Sequence, residues 1–198
     1  AGALYSVDAV RGCTYWTFLP RAGIRSATSV VPATLPDGSK GYAVYFIDML
    51  ANTYAVNAQT GELLWQTQVE THESVRGTGS VTVHNGRVYV PITGVTEENT
   101  ASNPDYSCCT FRGSVTSLDA ATGDVIWKFY TVDEPKPRGT SANGKPLFGP
   151  AGVGIWSAPT IDEGRGLVYV ATGNAYADPA PPTADAILAI SIDKGELV

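Results

Sequence analysis

Charge is scarce in this sequence. Only 16% of its 198 residues are Asp, Glu, Lys or Arg, and acids outnumber bases 19 to 13 for a net charge of −6. That balance excludes the clustered Lys and Arg that nucleic-acid phosphates demand. Long apolar runs are missing too, and no stretch approaches the ~18 residues of a membrane helix. The N-terminus lacks the basic, apolar and small-residue layout of a signal peptide, but the chain opens in mid-repeat, so little follows from that. His72 and His84 are the two histidines; they are not spaced as a zinc pair, and no CxxCH haem motif occurs. Cysteine is limited to Cys13 and the adjacent Cys108 and Cys109, which excludes a framework of long-range disulfides. Helical periodicity is hardly visible anywhere.

What is abundant is turn chemistry. Gly 21 and Pro 13 punctuate short Val/Ile/Tyr/Thr runs, the pattern of an all-β protein. Four segments repeat a strand, a polar turn with glycine, and a strand ending in Trp: Leu4–Trp16, Tyr54–Trp65, Val115–Trp127 and Leu188–Val198, the last stopping where its Trp is due. Their turn glycines are Gly12, Gly61, Gly123 and Gly195. Ahead of the last three copies lie further strand pairs: Ser26–Val31 with Tyr42–Ile47, Ser80–Val83 with Arg87–Ile92, and Ser157–Ile161 with Leu167–Thr172. Asp-Gly and Asn-Gly turns mark these as hairpins. The repeating unit is therefore a four-stranded antiparallel sheet, and a recurring sheet of this kind is a propeller blade.

The spacing also sorts the loops. Turns within the strand pairs are short and share one face of such an array. The long segments Gly94–Gly113, Thr131–Val153 and Gly173–Ala186 all fall on the other, which marks it as the binding face. One partial β-propeller domain is expected over residues 1–198, with blade ends at 1–18 and blades at 25–69, 76–130 and 154–198. That is about three and a half blades, fewer than closed propellers contain, so the chain reads as part of a longer protein.

Several residues on the long-loop face could carry chemistry. Neighbouring Cα atoms lie ~3.8 Å apart, nearer than the ~4.4–6.8 Å usual for disulfides, so Cys108 and Cys109 either close a strained ring or remain two thiols. Trp156 follows the glycine-rich Gly149–Gly154 and offers a stacking surface that glycine backbone lets a flat ligand approach. Asn174 ends a second strand on that face, and Glu97 and Glu98 do so one blade earlier, where oxygens from adjacent blades would suit a hard cation. Arg25 and Arg76 stand before the first strands of their blades and could neutralise an anion, or form surface pairs worth little.

Taken in order, GCTYW, the D-A-x-T-G-x-x-x-W repeats, CCTFRGSV and GVGIWSAPTID…VATGN resemble a quinoprotein alcohol dehydrogenase across essentially the whole chain, within the polyvinyl-alcohol dehydrogenase branch. The resemblance implies an eight-bladed propeller holding pyrroloquinoline quinone (PQQ) and Ca²⁺. It implies that the quinone stacks on Trp156, that Arg25, Thr78 and Thr93 bind it, and that Cys108 and Cys109 lie at the site as a vicinal disulfide. Asn174 and one of Glu97 and Glu98 would be calcium ligands. The calcium would act as a Lewis acid on the quinone, and electrons would leave to a cytochrome c. A periplasmic or secreted bacterial location goes with this. Two departures stand out: the family's better-known members carry the cysteine pair in an earlier blade, and their catalytic Asp lies farther along than Val198. The competing reading is a scaffold or ligand-binding propeller with the same repeats and no cofactor, which has no use for these residues converging.

Overall fold

A computed structural model describes residues 2–198. Its strands fall into successive antiparallel sheets. The first hairpin pairs β1 (Leu4–Val7) with β2 (Thr14–Phe18). A four-stranded sheet follows, β3 (Ser29–Thr34), β4 (Lys40–Ile47), β5 (Asn52–Asn57) and β6 (Leu63–Gln68), its strands adjacent in chain order. The next sheet contains β7 (Val75–Arg76), β8 (Thr82–His84), β9 (Arg87–Gly94), β10 (Ser114–Asp119) and β11 (Val125–Tyr130), with the short helix α1 (Thr96–Thr100) between β9 and β10. A separate hairpin joins β12 (Lys136–Thr140) to β13 (Pro146–Gly149). The last sheet orders β14 (Thr160–Asp162), β15 (Leu167–Ala171) and β16 (Ile187–Ser191), and a bridge from Ile190 to Leu197 begins its fourth strand. This is the all-β blade architecture expected from the repeats.

The repeat explains how the blades lock. In the 119–124 turn, Asp119 Oδ1 accepts the backbone N–H groups of Ala121 (2.8 Å) and Thr122 (3.0 Å), and Gly123 closes the turn at φ 78°. Asp8 and Asn57 cap the matching turns in the same way. Glycine is required there for two reasons. The left-handed backbone disfavours a Cβ, and a Cβ at Gly123 would lie 2.6 Å from Trp65 of the preceding blade. Trp65 thus lies flat on the next blade's turn, and its indole N–H donates to Ala120 O at 2.9 Å. Trp16 repeats this on Gly61 and Ala58 O (3.0 Å), and Trp127 on Gly195 and Ile192 O (2.8 Å). Each interface therefore combines buried indole area with a satisfied donor.

Between blades, the core follows the pleat. Tyr45, Trp65, Val88, Val90, Ile92 and Leu118 fill one layer, and Tyr89, Trp127, Ile155, Val168 and Ile190 the next. Three differences from the sequence reading have local causes. The inner strands begin later than expected, at Ser29, Thr82 and Thr160 rather than Ser26, Ser80 and Ser157, because the preceding residues leave the ladder to meet other segments, as Ile24 bridges Asp48 and Gly79 packs on the Trp156 carbonyl. The long segments are not all loop: α1 occupies part of 94–113, and β12–β13 turns at Asn143-Gly144 within 131–153. An extra short strand, β7, pairs with the end of β9.

Candidate cofactor site

Arg25, Thr78 and Trp156 occupy equivalent positions, each four residues ahead of its blade's inner strand, which starts at Ser29, Thr82 and Thr160. Neighbouring blades bring these positions into a row. Ile24 bridges Asp48, a Cβ on Gly77 would strike the Asp48 carbonyl, and a Cβ on Gly79 would lie 2.9 Å from the Trp156 carbonyl. Asp48 holds the first of these junctions. Its buried carboxylate accepts hydrogen bonds from the N–H groups of Ala22, Leu50 and Asn52, the Asn52 side chain and the Tyr54 hydroxyl (2.8 Å). Sequence reasoning did not single it out; an Asp just past a strand with Asn four residues on was the available signal.

Trp156 differs from the three interlocking indoles. It is 49% exposed, against 8% for Trp127, and its indole nitrogen lies so close to Gly173 that a Cβ there would come within 2.6 Å. Thr78 and Thr93 both have a buried hydroxyl oxygen with no protein partner. Buried hydroxyls are normally satisfied; these are two of eight unpartnered buried side-chain atoms among the described residues, four of the others being the strand residues Thr53, Ser114, Thr116 and Ser117. Arg25 is exposed and outside every ion pair among the described residues, whereas Arg76 turns back to the carbonyls of Val75 (2.5 Å) and Glu73 (3.3 Å).

The three long segments meet in one small ladder. Gly152 N–H donates to Phe111 O (2.8 Å), Gly113 N–H to Gly152 O (2.8 Å), Tyr176 N–H to Ala151 O (2.9 Å) and Val153 N–H to Asn174 O (2.9 Å). Residues 111–113, 151–153 and 174–176 thereby run side by side, with bridges Arg112–Gly152 and Gly152–Ala175. Val153 adopts φ 55°, which a β-branched residue tolerates only when its surroundings impose it. Here the Thr131 hydroxyl donates to Val153 O at 2.8 Å while the Val153 N–H is taken by Asn174. The ladder leads directly into Gly154, Ile155 and Trp156 on one side and presents the exposed Asn174 side chain on the other.

Glu97 and Glu98 separate clearly. Glu97 is buried beneath the cysteine loop, and its carboxylate accepts the N–H groups of Thr110 (2.9 Å) and Phe111 (2.7 Å) and the Thr110 hydroxyl (3.2 Å). Glu98, the next residue of α1, makes none of these contacts and is half-buried. It faces Tyr176, whose phenol is held above its ordinary range by burial first and by the Glu98 charge second. Tyr176 donates its hydroxyl to Gly94 O at 2.7 Å. Cys108 and Cys109 are buried with their sulfurs against each other and near the Tyr176 carbonyl, while Cys13 is exposed. The pair thus lies beneath the long-loop face among Phe111, Leu147 and Ala177 rather than open to solvent. A cavity of 790 Å³ lies at the opposite, short-turn end between Leu35, Leu64, Val83 and Ala120, away from all these groups.

Blades interlocked by tryptophan, with an exposed indole and a guanidinium outside any ion pair ahead of their inner strands, define a β-propeller. The chain belongs to the PQQ family described as glucose/ethanol/alcohol dehydrogenase, beta-propeller domain, which it matches over residues 2–196. It is 44% identical over its whole length to a polyvinylalcohol dehydrogenase of Pseudomonas sp and 41% identical over 98% of its length to one of Sphingopyxis sp. (strain 113P3). It covers 31% and 30% of those two proteins, so it spans about a third of the relatives' length. A solved quinohemoprotein alcohol dehydrogenase from Pseudomonas putida HK5 superimposes with TM-score 0.71 at 21% identity, over 99% of this chain and 30% of that one. The quinohemoprotein alcohol dehydrogenase of Comamonas testosteroni gives 0.68 at 23% identity, over 99% and 31%. These two show the shared fold.

Proposed function

We propose that this chain forms part of a PQQ- and calcium-dependent alcohol dehydrogenase, with polyvinyl alcohol or a related secondary alcohol as substrate. The observation that carries the reading is the exposed indole of Trp156 at the same blade position as Thr78, whose buried hydroxyl has no protein partner. A buried hydroxyl without a partner costs free energy until a ligand satisfies it, so Thr78 and Thr93 are compatible with a polar cofactor. Trp156 would support the ring plane from one side, with Gly173 keeping the indole flat and close. Arg25, free of protein carboxylates, would hold an anionic group of the quinone. The bound quinone supplies two-electron redox chemistry that side chains cannot.

For the cation, this chain offers an incomplete set. Among the described residues no group of three or more His, Cys, Asp or Glu is placed to hold a metal. Calcium takes six to eight oxygens. Glu98 and Asn174 are the two side chains here with oxygen available, and the remaining ligands would come from the cofactor and from residues outside this chain. The base that removes the alcohol proton is likewise assigned outside it. Cys108 and Cys109, kept oxidised, fit a periplasmic or secreted protein, and a cytochrome c is the proposed electron acceptor. No helix among the described residues is long and apolar enough to cross a membrane.

The test uses the full-length protein. Dye reduction driven by a secondary alcohol should require both added PQQ and added Ca²⁺. A scaffold propeller would show neither quinone absorbance nor alcohol-dependent reduction under any loading. Thiol titration in denaturant without reductant should count Cys13 alone, and three thiols would refute the vicinal disulfide.

A further inference from the structure

We infer that Glu97 is a positioning residue: its carboxylate anchors the 111–113/151–153/174–176 ladder through Thr110 and Phe111, and it is not a ligand of the cation. The hydrogen bonds it already accepts and its burial carry this. A carboxylate offers about four lone-pair directions. Oε1 receives the Thr110 N–H (2.9 Å) and the Thr110 hydroxyl (3.2 Å), and Oε2 receives the same N–H (2.9 Å) and that of Phe111 (2.7 Å). Three donors, one of them shared between the two oxygens, already occupy the carboxylate, and a cation would have to enter a place with 1% residue exposure.

The arrangement is reinforced from the solvent side. His72 Nδ1 accepts the Ser74 N–H at 3.1 Å, which leaves Nε2 to donate to the Thr110 hydroxyl at 2.9 Å. The Thr110 hydroxyl is thereby turned to donate to Glu97. His72, Thr110 and Glu97 form a chain that fixes the two residues directly after the cysteine pair. From there the path is continuous. Phe111 O accepts the Gly152 N–H, Gly152 bridges Ala175, and the Tyr176 carbonyl lies 3.8 Å from the Cys109 sulfur. Trp156 follows one strand of this ladder, and Asn174 sits on another. Glu97 thus sets the position of the groups assigned to the cofactor without touching it. That the ladder serves a cofactor rests on the reading above; the anchoring itself does not.

Two measurements on the full-length protein separate the roles. The first is the rate at which a phosphine reductant releases thiols from the native, quinone-free protein. Glu97→Gln puts an amide donor against a backbone donor, and with hydrogen bonds to a charged group worth ~1.5–3 kcal/mol, release should quicken about tenfold or more. Glu98→Gln should leave the rate unchanged. The second is terbium(III) binding as a calcium substitute, read by sensitised luminescence. Glu98→Gln should abolish it and Glu97→Gln should weaken it less. An unchanged release rate in Glu97→Gln, or terbium loss as complete as in Glu98→Gln, overturns the assignment. Terbium binding intact in both variants, with release still accelerated, supports the anchor and contradicts the cation reading. If Glu97→Gln does not fold, Glu97→Asp, which keeps the charge on a shorter arm, should show an intermediate release rate, and a wild-type rate there overturns the anchor.

Discussion

Trp127 and Trp156 belong to neighbouring blades and do opposite work. Trp127 is buried, lies on Gly195 of the next blade and spends its indole N–H on Ile192 O. Trp156 is half-exposed, lies beside Gly173 of its own blade, and neither it nor the hydroxyls of Thr78 and Thr93 find a protein partner. The difference is one of completeness. Where the indole is covered and its donor satisfied, the contact serves stability; where the indole is left open, as at Trp156, the reading proposed above makes the missing partner a ligand.

The comparison can be broken most easily at its structural end. Trp127→Ala should cost about 3–5 kcal/mol in urea denaturation of the full-length protein, as large-to-small changes at buried aromatics do. A cost below ~1 kcal/mol would mean that the interlock does not hold the blades. Asp48→Ala should follow at about 3 kcal/mol, since it orphans several buried donors at once. A near-neutral result would show that water replaces the carboxylate.

The Glu70–Lys128 pair tests a contact of intermediate kind. The two side chains are largely buried with Nζ 2.5 Å from Oε2. Burial pushes the Glu70 carboxyl up, but Lys128 and the Thr71 N–H outweigh it and hold it below its ordinary 4.5. A carboxyl lowered on folding contributes stability above its unfolded value, and that contribution fades as pH falls through the lower folded one. Lys128→Met should therefore cost about 2 kcal/mol near neutrality and flatten the acid limb of a stability–pH curve. An unchanged acid limb would show that the backbone N–H groups alone set the Glu70 behaviour. The smallest effect on stability is expected at Trp156→Ala, within about 0.5 kcal/mol, as at other exposed sites.

The same contrast governs what could be read from sequence. The interlock was legible because its parts are local: an Asp or Asn, a glycine and a Trp at fixed spacing write both the turn and its packing into one short segment. Arg25 and Trp156 were legible as residues at the start of their blades, whereas the sequence set Arg76 beside Arg25 and Thr78 came only through the family resemblance. The ladder was not, since Phe111, Gly152 and Ala175 come from three separate loops and pair by isolated bridges that leave no periodic pattern. Nor could sequence divide Glu97 from Glu98, because one residue along α1 turns a side chain from the cysteine loop toward Tyr176. The β12–β13 hairpin was read as long loop: Asn143-Gly144 was the available turn signal, but Pro137 and Pro146 argue against regular strands, and both stand in this exposed hairpin.

The central claim is that Trp156 serves a ligand and Trp127 serves the fold. The direct measurement is PQQ titration of the full-length protein carrying Trp156→Ala, followed by quinone absorbance, with the urea midpoint recorded on the same sample. The account predicts an unchanged midpoint and quinone affinity weaker by about a hundredfold, since stacking on an aromatic contributes ~1–3 kcal/mol per ring and its loss also uncovers the site. Wild-type quinone affinity, or a midpoint shifted as far as in Trp127→Ala, would contradict it.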